Sequence, residues 1–406
     1  MLSQSHAATI QATLPAVQAN GEKITDAFYR TLLGENPELM NLFSRSGQAT
    51  GDQRRALGGA VAAFAAHLID EPGPDAPHFD LIMERIAHKH ASLGVRPDQY
   101  TVVGRYLMRA VGEVLGDAVT AEVAGAWDEV YWLFACRLIG LESRLYTRAG
   151  VDPEQPWREY EISHRRVEAV DTASFVLCPV DGRPAPDYRP GQYVTVAVDL
   201  PDGGRQLRQY SMSQAPSPGS LRITVRRVRG VDGTPDGLVS GHLHDHIHPG
   251  DRLQVSAPFG DLALIPGDDP VLLISAGVGI TPMAAIIDHI AHTQPSRHVV
   301  AVHGEQSPGR HPLRADIVRS GSQLASFQHL VWYEEPGGPS NDVQVHTGLV
   351  DADLIPLRPD ATAYLCGPVP FMRHIRGALR RRGLPSERIR YEVFGPDQWT
   401  ATRGAR

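Results

Sequence analysis

The sequence has little cysteine and no long apolar run. Its three cysteines, Cys136, Cys178 and Cys366, form no C-x-x-C pair, so they indicate a reducing compartment and no disulfide framework. No stretch approaches the ~18 uninterrupted apolar residues of a membrane span, and the N-terminus lacks the basic segment and apolar run of a signal peptide. We therefore expect a cytoplasmic protein without a membrane span.

The sequence also lacks an excess of basic residues. The chain carries 39 lysines and arginines against 46 aspartates and glutamates, a formal net charge of −7. Nucleic-acid binding needs a positive surface for the phosphates, so nucleic acid is excluded as the main partner. There is neither an internal repeat nor a long low-complexity tract, and 406 residues suggest two or three domains at ~150 residues each.

Residues 1–147 have the pattern of an all-α domain. Apolar residues recur three and four positions apart, and β-branched runs are scarce. Pro37 and Pro97 are expected to open new helices, because proline is favoured in the first turn. The stretch "GDQRRALGGAVAAFAAHLID" illustrates the apolar stripe, which consists of Leu57, Val61, Phe64 and Leu68.

The pattern changes twice further along the chain. Residues 148–158, rich in proline and charge, are predicted to be a linker. Short alternating segments between Gly/Pro turns predict an antiparallel β-barrel over 159–262. Alternating strands and helices predict a doubly wound parallel sheet over 263–406. The chain is thus predicted to be a multidomain protein with all-α, antiparallel β-barrel and α/β parts.

The stretch "RIAHKHASLG", residues 85–94, contains two histidines two positions apart. If residues 79–90 form one helix, His90 ends an apolar stripe and faces the core, whereas His88 lies about 200° away and faces solvent. Taken alone, a core histidine is the more frequent case for His90. Several other residues favour a metal ligand instead, and these are Tyr29, Phe43, Gln53, Leu57, Tyr100 and Glu142.

The tetrapeptide "RQYS", residues 208–211, suits a flavin nucleotide. An extended strand would put Arg208 and Tyr210 on one face, where the arginine can clamp a pyrophosphate and the tyrosine ring can lie on the isoalloxazine. Ser211 can hydrogen-bond the polar edge of the flavin, and "PGQY" adds Tyr193 from a neighbouring strand.

Two further stretches combine a turn with the start of a helix. "GLVSGHLHDH", 237–246, is expected to open a helix with Ser240 as its N-cap, so that free N–H groups face a pyrophosphate. "LLISAGVGITPM", 272–283, is a buried strand followed by Gly277 and Gly279 in a G-x-G-x-x-P turn. Its backbone can approach phosphates, although a plain structural turn is the alternative.

Taken together, these motifs resemble the flavohemoglobin family, in which a globin is fused to a ferredoxin-reductase-like flavin and nicotinamide module. The resemblance covers nearly all 406 residues. In the globin part it rests, in order, on Tyr29, Phe43, "GDQR" with Gln53, the Lys89–His90 pair, "PDQY" with Tyr100, and Glu142. In the remainder it rests on "RQYS", "GVGITP", "CGP" at 366–368 and "YEVFGP" at 391–396.

The resemblance implies a heme b whose iron is bound by His90. Glu142 would accept a hydrogen bond from His90 and Tyr100 would complete this relay, which raises the basicity of the ligand. Tyr29 and Gln53 would form a distal polar pair. Phe43 and Leu57 would pack against the heme, and Lys89 would be a further cofactor-binding residue. A solvated helix charge for Glu142 and plain core roles for Tyr100, Phe43 and Leu57 are the alternatives.

The resemblance also implies FAD and a nicotinamide nucleotide. "CGP" would lie by the nicotinamide and "YEVFGP" beside the flavin. The candidate residues for these two cofactors are Tyr193, Arg208, Gln209, Tyr210, Ser211, Val239, Ser240, Gly277, Val278, Gly279, Ile280, Thr281, Pro282, Cys366, Gly367, Pro368, Glu392, Val393, Phe394, Gly395 and Pro396. Two of them depart from the family pattern, because Val393 replaces a cysteine and Ile280 a common glutamine.

The implied activity is nitric oxide dioxygenation, with NO and O₂ as substrates and a monomeric enzyme. The alternatives are a reductase of O₂ or hydroperoxides, and an oxygen-binding or sensing globin. NADH and NADPH both remain open, since Arg310 and Arg314 could meet a 2′-phosphate or lie in a solvated turn. The histidines of residues 242–248 diverge on a helix, so we expect no metal site there.

Overall fold

The computed structural model describes residues 2–41, 52–69, 79–200, 203–230, 235–335 and 344–395, with the backbone alone for residues 38 and 52–55. The chain forms two compact units. One comprises residues 1–156, 199–207 and 395–406, and the other comprises residues 157–198 and 208–394. No helix of the described ranges is long and apolar enough to cross a membrane.

The first 150 residues are helical wherever they are described, as predicted. The helices are α1 (Gln4–Ala19), α2 (Gly21–Glu35), α3 (Asp52–Ile69), α4 (Phe79–Leu93), α5 (Pro97–Leu115) and α6 (Ala121–Ala149). The Thr120 side chain caps α6 by accepting from the Val123 amide, and Gly150 ends α6 in the left-handed conformation. Pro97 opens α5 as predicted, whereas Pro37 opens only a short 3₁₀ turn.

The core of this helical part is built around phenylalanine rings. The Phe64 ring lies 5.3 Å from that of Phe79 and 5.4 Å from that of Phe134, so side chains of α3, α4 and α6 meet there. The predicted stripe on α3 is only partly sequestered: Val61 and Phe64 are buried, while Leu57 and Leu68 are half-buried. The packing therefore fixes the mutual positions of α3, α4 and α6.

An antiparallel sheet of six strands follows, as the alternating pattern predicted. The strands are β1 (Trp157–Ala169), β2 (Thr172–Pro179), β3 (Tyr193–Asp199), β4 (Arg205–Ser211), β5 (Leu221–Arg226) and β6 (Arg252–Ser256), in the order β4-β3-β6-β1-β2-β5. Helix α7 (Leu238–His246) lies between β5 and β6 in the sequence. In the pairing of β2 with β5, Thr172 stands opposite Arg226, which places this arginine at the end of β5 beside the β1–β2 turn.

A parallel sheet completes the described fold and also matches the prediction. Its strands are β7 (Val271–Ala276), β8 (Val299–Glu305), β9 (Phe327–Tyr333), β10 (Gln344–Thr347), β11 (Thr362–Cys366) and β12 (Ile389–Glu392), and its helices are α8 (Ile280–Thr293), α9 (Arg314–Gly321) and α10 (Val369–Arg381). The strand order is β10-β9-β8-β7-β11-β12. The order reverses between β7 and β11, and ligands of such sheets bind at the carboxyl ends of the strands at this switch point.

Candidate functional site

His90 belongs to a partly buried hydrogen-bonded cluster formed by α4, α5 and α6. Its Nδ1 atom lies 2.9 Å from Glu142 Oε1 and 2.8 Å from the Tyr100 hydroxyl. The Tyr100 hydroxyl donates to the same Glu142 oxygen at 2.5 Å. Because a carboxylate only accepts, Nδ1 carries the proton and donates it to Glu142. The opposite ring nitrogen, Nε2, is thereby left with the lone pair that a metal ion needs.

The surroundings of the cluster keep the Tyr100 hydroxyl protonated. Glu142 is 2% exposed and Tyr100 is 6% exposed. Burial and the nearby Glu142 carboxylate raise the pKa of Tyr100, so its hydroxyl remains protonated and donates. The Tyr131 hydroxyl donates to the Tyr100 carbonyl and holds this part of α5. The His90 side chain is 33% exposed, so part of its surface is accessible.

The residues predicted for the other side of the heme are only partly described. Tyr29 is buried on α2, and its ring meets that of Phe28 edge-on at 4.8 Å. Leu57 is half-buried on α3. Gln53 lies on α3 one turn before Leu57, but its side chain is outside the description, and Phe43 lies outside the described residues altogether. Helices α2 and α3 are in close contact, because a Cβ on Gly58 would lie 3.2 Å from Thr25 Cγ2.

The neighbours of His90 in α4 differ in their surroundings. His88, which we expected to face solvent, is half-buried rather than exposed. The Lys89 ammonium donates a hydrogen bond to the Gly395 carbonyl. No group of three or more His, Cys, Asp or Glu side chains suited to a metal ion occurs in the part of the chain that the structure describes. A heme iron needs only one such side chain, which His90 provides.

The predicted flavin residues lie on β3 and β4. Burial lowers the pKa of Arg208 and raises that of Tyr210, and each of these shifts is partly offset by the other residue, so the two side chains are close. Gln209 is half-buried and Tyr193 is buried. The Ser211 hydroxyl is buried and has no hydrogen-bond partner among the described atoms. A buried hydroxyl of this kind fits a missing polar ligand such as the edge of a flavin.

The prediction for Ser240 was wrong. The N-cap of α7 is Gly237, whose extended backbone turns the chain into the helix, and it makes no side-chain cap. Ser240 lies in the first turn, where its hydroxyl donates to the Gly237 carbonyl and accepts from the Val228 amide, both at 3.1 Å. The neighbouring Val239 is buried. Ser240 therefore closes the β5–α7 connection.

The four histidines of residues 242–248 do not converge. The rings of His242 and His246, one helical turn apart, lie 5.1 Å from each other. His244 points elsewhere, and its Nε2 atom lies 3.0 Å from the Val225 carbonyl. His248 follows the end of α7. Adjacent positions in this alternating pattern thus face different neighbours, as expected from helical geometry.

The two glycine-containing turns of the parallel sheet meet at its switch point. A Cβ on Gly279 would lie 2.2 Å from the Cys366 carbonyl oxygen, so only glycine permits this approach. Gly277 has a φ of +56°, which also favours glycine. Thr281 donates from its hydroxyl to the Val278 carbonyl at 3.0 Å and closes the turn. Ile280 and Pro282 are buried at the start of α8.

The segment after β11 and the end of β12 lie at the same edge of the parallel sheet, where its strands have their carboxyl ends. Cys366 pairs with Glu392, and both are buried. Burial, reinforced by the Glu392 carboxylate, raises the pKa of the Cys366 thiol, which therefore stays protonated. Gly367 and Pro368 lead into α10. Of the remaining predicted residues, Val393 is buried, Phe394 is 45% exposed, Gly395 is exposed and Pro396 lies outside the described residues.

Sequence reasoning missed Arg226, which reaches this edge from the antiparallel sheet. Its Nη1 atom lies 2.9 Å from where a Cβ on Gly277 would be. Its Nη2 atom donates to Glu305 Oε2 at 2.5 Å and to the Arg310 carbonyl at 3.1 Å. Its partners lie about 50 to 85 residues away along the chain, so no local pattern marks it.

Comparison with known proteins places these features in one family. The Globin family model matches residues 26–137, and the Oxidoreductase NAD-binding domain model matches residues 273–377. A flavohemoprotein of Bordetella parapertussis is 42% identical over 408 residues, covering 97% of this chain and 99% of that protein.

Two solved structures are also similar. The crystal structure of a flavohemoglobin from Malassezia yamatoensis with bound FAD and heme has a TM-score of 0.86 and 32% identity, and the match covers 97% of this chain and 100% of that one. The FAD/NAD-binding domain of a nitric oxide dioxygenase from Vibrio cholerae has a TM-score of 0.55 and 36% identity, covering 59% and 99% respectively. This chain belongs to the flavohemoprotein family and is an oxidoreductase.

Proposed function

We propose that the protein is a nitric oxide dioxygenase that oxidises NO with O₂ to nitrate at the expense of NADH or NADPH. Each NO takes up one O₂ and one electron to give nitrate, so one hydride from the nicotinamide serves two turnovers. The observation that carries the proposal is the partly buried His90–Glu142–Tyr100 cluster, which leaves one histidine nitrogen available to a metal. The family membership and the relative called a nitric oxide dioxygenase support it.

The residues fit heme b, FAD and a nicotinamide nucleotide. His90 would ligate the heme iron through Nε2. Arg208, Tyr210 and Ser211 would hold FAD, and Gly277 and Gly279 would accommodate the phosphates of the nicotinamide nucleotide. When bound, heme supplies an iron that reacts with O₂ and NO, and FAD converts the two electrons of a hydride into single electrons.

The His90 cluster prepares the iron ligand. Glu142 accepts a hydrogen bond from His90 Nδ1–H at 2.9 Å, and the Tyr100 hydroxyl donates to the same carboxylate oxygen. Donation of Nδ1–H to a buried carboxylate gives the imidazole partial imidazolate character and makes Nε2 more basic. The same hydrogen bonds fix the rotation of the ring. A more basic ligand favours the electron-rich iron that O₂ activation requires.

On the distal side, Tyr29 and Gln53 would act on the oxygen substrate. The Tyr29 hydroxyl can donate a hydrogen bond to a polarised O₂ and slow its loss. Gln53, on the neighbouring α3, would supply a second polar group, and Leu57 with Phe43 would exclude water. This side of the site therefore stabilises the substrate, while the His90 side adjusts the iron.

The reductase residues would hold the flavin and the nicotinamide close together. The rings of Tyr193 and Tyr210 would cover the isoalloxazine, and the Ser211 hydroxyl would gain its missing partner there. Gly279 and Cys366, whose backbones touch at the switch point, would form the floor for the nicotinamide. Glu392 and Phe394 would close the site beside the flavin.

The test begins with absorption spectra recorded under anaerobic conditions before and after NADH. We expect a heme band over a flavin shoulder, a shift to the ferrous form on NADH, and rapid return to the ferric form when O₂ and then NO are added. A flavin spectrum alone after heme is supplied would contradict the proposal. Slow NO turnover with very tight O₂ binding would favour an oxygen-binding globin, and rapid O₂ or hydroperoxide consumption without NO would favour a reductase.

The relay is tested with Glu142→Gln. Loss of the carboxylate charge should lower the ferrous iron–histidine stretching frequency and slow NO turnover by about tenfold, the lower end of the range for partners that orient a metal ligand. Glu113→Gln is the control, because Glu113 is a 46% exposed side chain on α5 that pairs with Arg30. An unchanged stretching frequency in Glu142→Gln would remove the relay from the mechanism.

A further inference from the structure

A cavity rich in arginine lies beside the turn between β1 and β2. Its volume is about 390 Å³, and its lining consists of Val170, Asp171, Arg227, Arg229, His244 and Arg310. Three guanidinium groups around one small cavity are the usual setting for a phosphate, because each presents a planar fork of N–H donors.

The direct ion pairs around this cavity leave one of its three arginines over. Both terminal nitrogens of Arg227 pair with Asp245 at 2.6 Å, and Arg310 Nη1 pairs with Asp171 Oδ2 at 2.8 Å. Arg229 is exposed and pairs with no carboxylate of the described residues. Two of the three arginines are thus paired directly with a carboxylate, Asp236 acts on Arg227 from farther away, and Arg229 is left without an ion pair among the described residues.

The cavity is next to the glycine turn of the parallel sheet. Arg226 contacts Gly277 on one side, and on the other side it donates to the Arg310 carbonyl at 3.1 Å. Arg310 and Asp171 in turn line the cavity. One arginine side chain therefore separates the turn that accommodates the dinucleotide from the arginine-rich cavity.

The position also matches where such folds distinguish NAD from NADP. The adenosine ribose lies near the end of the strand that follows the glycine turn, where a carboxylate binds the 2′-hydroxyl of NAD and an arginine accommodates the 2′-phosphate of NADP. Here that strand is β8, which ends at Glu305. The Glu305 carboxylate already accepts from Arg226 and from the Gln306 amide. Arg310 of the next loop, and Arg227 and Arg229 just after β5, remain for the ribose substituent.

We propose that this cavity binds a phosphomonoester, namely the 2′-phosphate of NADPH, and that the enzyme prefers NADPH to NADH. The inference rests on the proposed function only in requiring a nicotinamide dinucleotide as the electron donor. Arg229 and the unpaired side of Arg310 donate to the phosphate oxygens, and Asp171 and Asp245 hold Arg310 and Arg227 in place. NADH has a hydroxyl at this position and leaves the Arg229 guanidinium without an anion.

The proposal is tested by calorimetry of the holoenzyme with 2′,5′-ADP and with 5′-AMP, which lacks the 2′-phosphate. We expect 2′,5′-ADP to bind at least about tenfold more tightly, and Arg229→Gln to remove about tenfold of that affinity, as for one charge-assisted hydrogen bond. Arg252→Gln is the matched control, since Arg252 is an arginine of the antiparallel sheet that pairs with Glu159 away from the cavity. Its affinity for 2′,5′-ADP should equal that of the parent.

Anaerobic flavin reduction gives a second measurement that does not involve NO. Arg229→Gln should raise the apparent Kd for NADPH about tenfold and leave that for NADH unchanged. Equal binding of 2′,5′-ADP and 5′-AMP would overturn the proposal, as would an apparent Kd for NADPH that Arg229→Gln leaves unchanged. A loss of bound FAD in Arg229→Gln would assign the cavity to the flavin and also overturn it. NADPH preference without NO turnover would retain the cavity and reject the dioxygenase.

Discussion

Acidification should destabilise the parallel sheet through three buried histidines. His303, His311 and His329 are 1%, 4% and 6% exposed, and the rings of the first two lie 4.3 Å apart. His311 Nδ1 lies 2.8 Å from the Tyr333 hydroxyl and His303 Nδ1 lies 2.9 Å from Ser275 Oγ. The Nε2 atoms of His303 and His311, and both ring nitrogens of His329, have no hydrogen-bond partner among the described atoms.

The pKa values of these histidines set the size of the stability loss on acidification. Burial, reinforced by His329 and Arg226, lowers the pKa of His303 to about 3. Burial, reinforced by Arg314, lowers that of His329 to about 4. In the unfolded chain both titrate near the ordinary 6.5, so the unfolded state binds protons below this pH while the folded state does not. At pH 5 each of these two histidines then costs about 2 kcal/mol of stability relative to neutral pH.

The direction of the pH effect on stability, and the pH range over which it occurs, follow from these pKa values. Above pH ~6.5 the imidazoles are neutral in both states and contribute no pH dependence. As the pH falls from there toward about 4 for His329 and about 3 for His303, stability is lost progressively. Burial also lowers the pKa of His311 well below its ordinary value, so its contribution has the same sign.

The assay is urea unfolding of the parent and of His329→Phe at several pH values from about 8 to about 5, followed by tryptophan fluorescence, since Trp332 is buried in the same strand. Groups outside the three histidines titrate alike in both proteins, so the difference between the curves reports on His329 together with its effect on His303 and His311. The parent should lose about 2 kcal/mol more than the variant over this range. His292→Phe, at a histidine 61% exposed on α8, controls for removal of an imidazole. Parallel curves for the parent and His329→Phe would refute the reasoning.

Two glycine substitutions test close backbone contacts. Gly279→Ala would bring a Cβ to 2.2 Å from the Cys366 carbonyl, so reduction of the flavin by NAD(P)H, followed by stopped flow, should slow by about a hundredfold. Gly219→Ala is the control, because nothing lies within 4 Å of its added Cβ, and it should leave the rate unchanged. Equal rates in the two variants would show that the two turns need not touch. Gly104→Ala would bring a Cβ to 2.4 Å from Tyr131 Cε1 and should destabilise the helical part by ~1–3 kcal/mol. Gly112→Ala, on the same helix with nothing within 4 Å, should stabilise the helical part by up to ~1 kcal/mol. Urea unfolding followed by circular dichroism measures both variants, and equal changes in their free energies of unfolding would contradict the prediction.

The sequence predicted those parts of the fold in which periodicity reports directly on burial. The stripe on α3, the alternating strands of the antiparallel sheet and the buried strands β7, β8 and β11 were all found. β10 was not predicted, because its four residues, "QVHT", are exposed or half-buried and show no apolar alternation. The Ser240 prediction failed because the end of β5 and Gly237 decide where α7 begins, and a capping residue type does not mark that point.

The candidate site was predicted to different extents on its two sides. His90, Tyr100 and Glu142 were paired through a family resemblance, and their mutual distances could not follow from spacing, because they lie on three helices. The close approach of Gly279 to Cys366 was likewise hidden, since 87 residues separate them. Arg226 carried no signal at all. Pairings of this kind depend on which strands and helices become neighbours, and local pattern does not specify that.

The strand order of the parallel sheet explains why these distant residues meet. Parallel strands put all their carboxyl ends on one edge, and the reversal between β7 and β11 leaves room there for two loops. The turn after β7 and the turn after β11 therefore come together whatever sequence lies between them. The same edge of the parallel sheet is approached by Arg226, Glu305 and Arg310. A change that moves β8 should therefore alter dinucleotide binding before it alters flavin binding. The Arg229 and Gly279 variants test two parts of the dinucleotide site separately, because one leaves the glycine turn intact and the other leaves the arginine cavity intact.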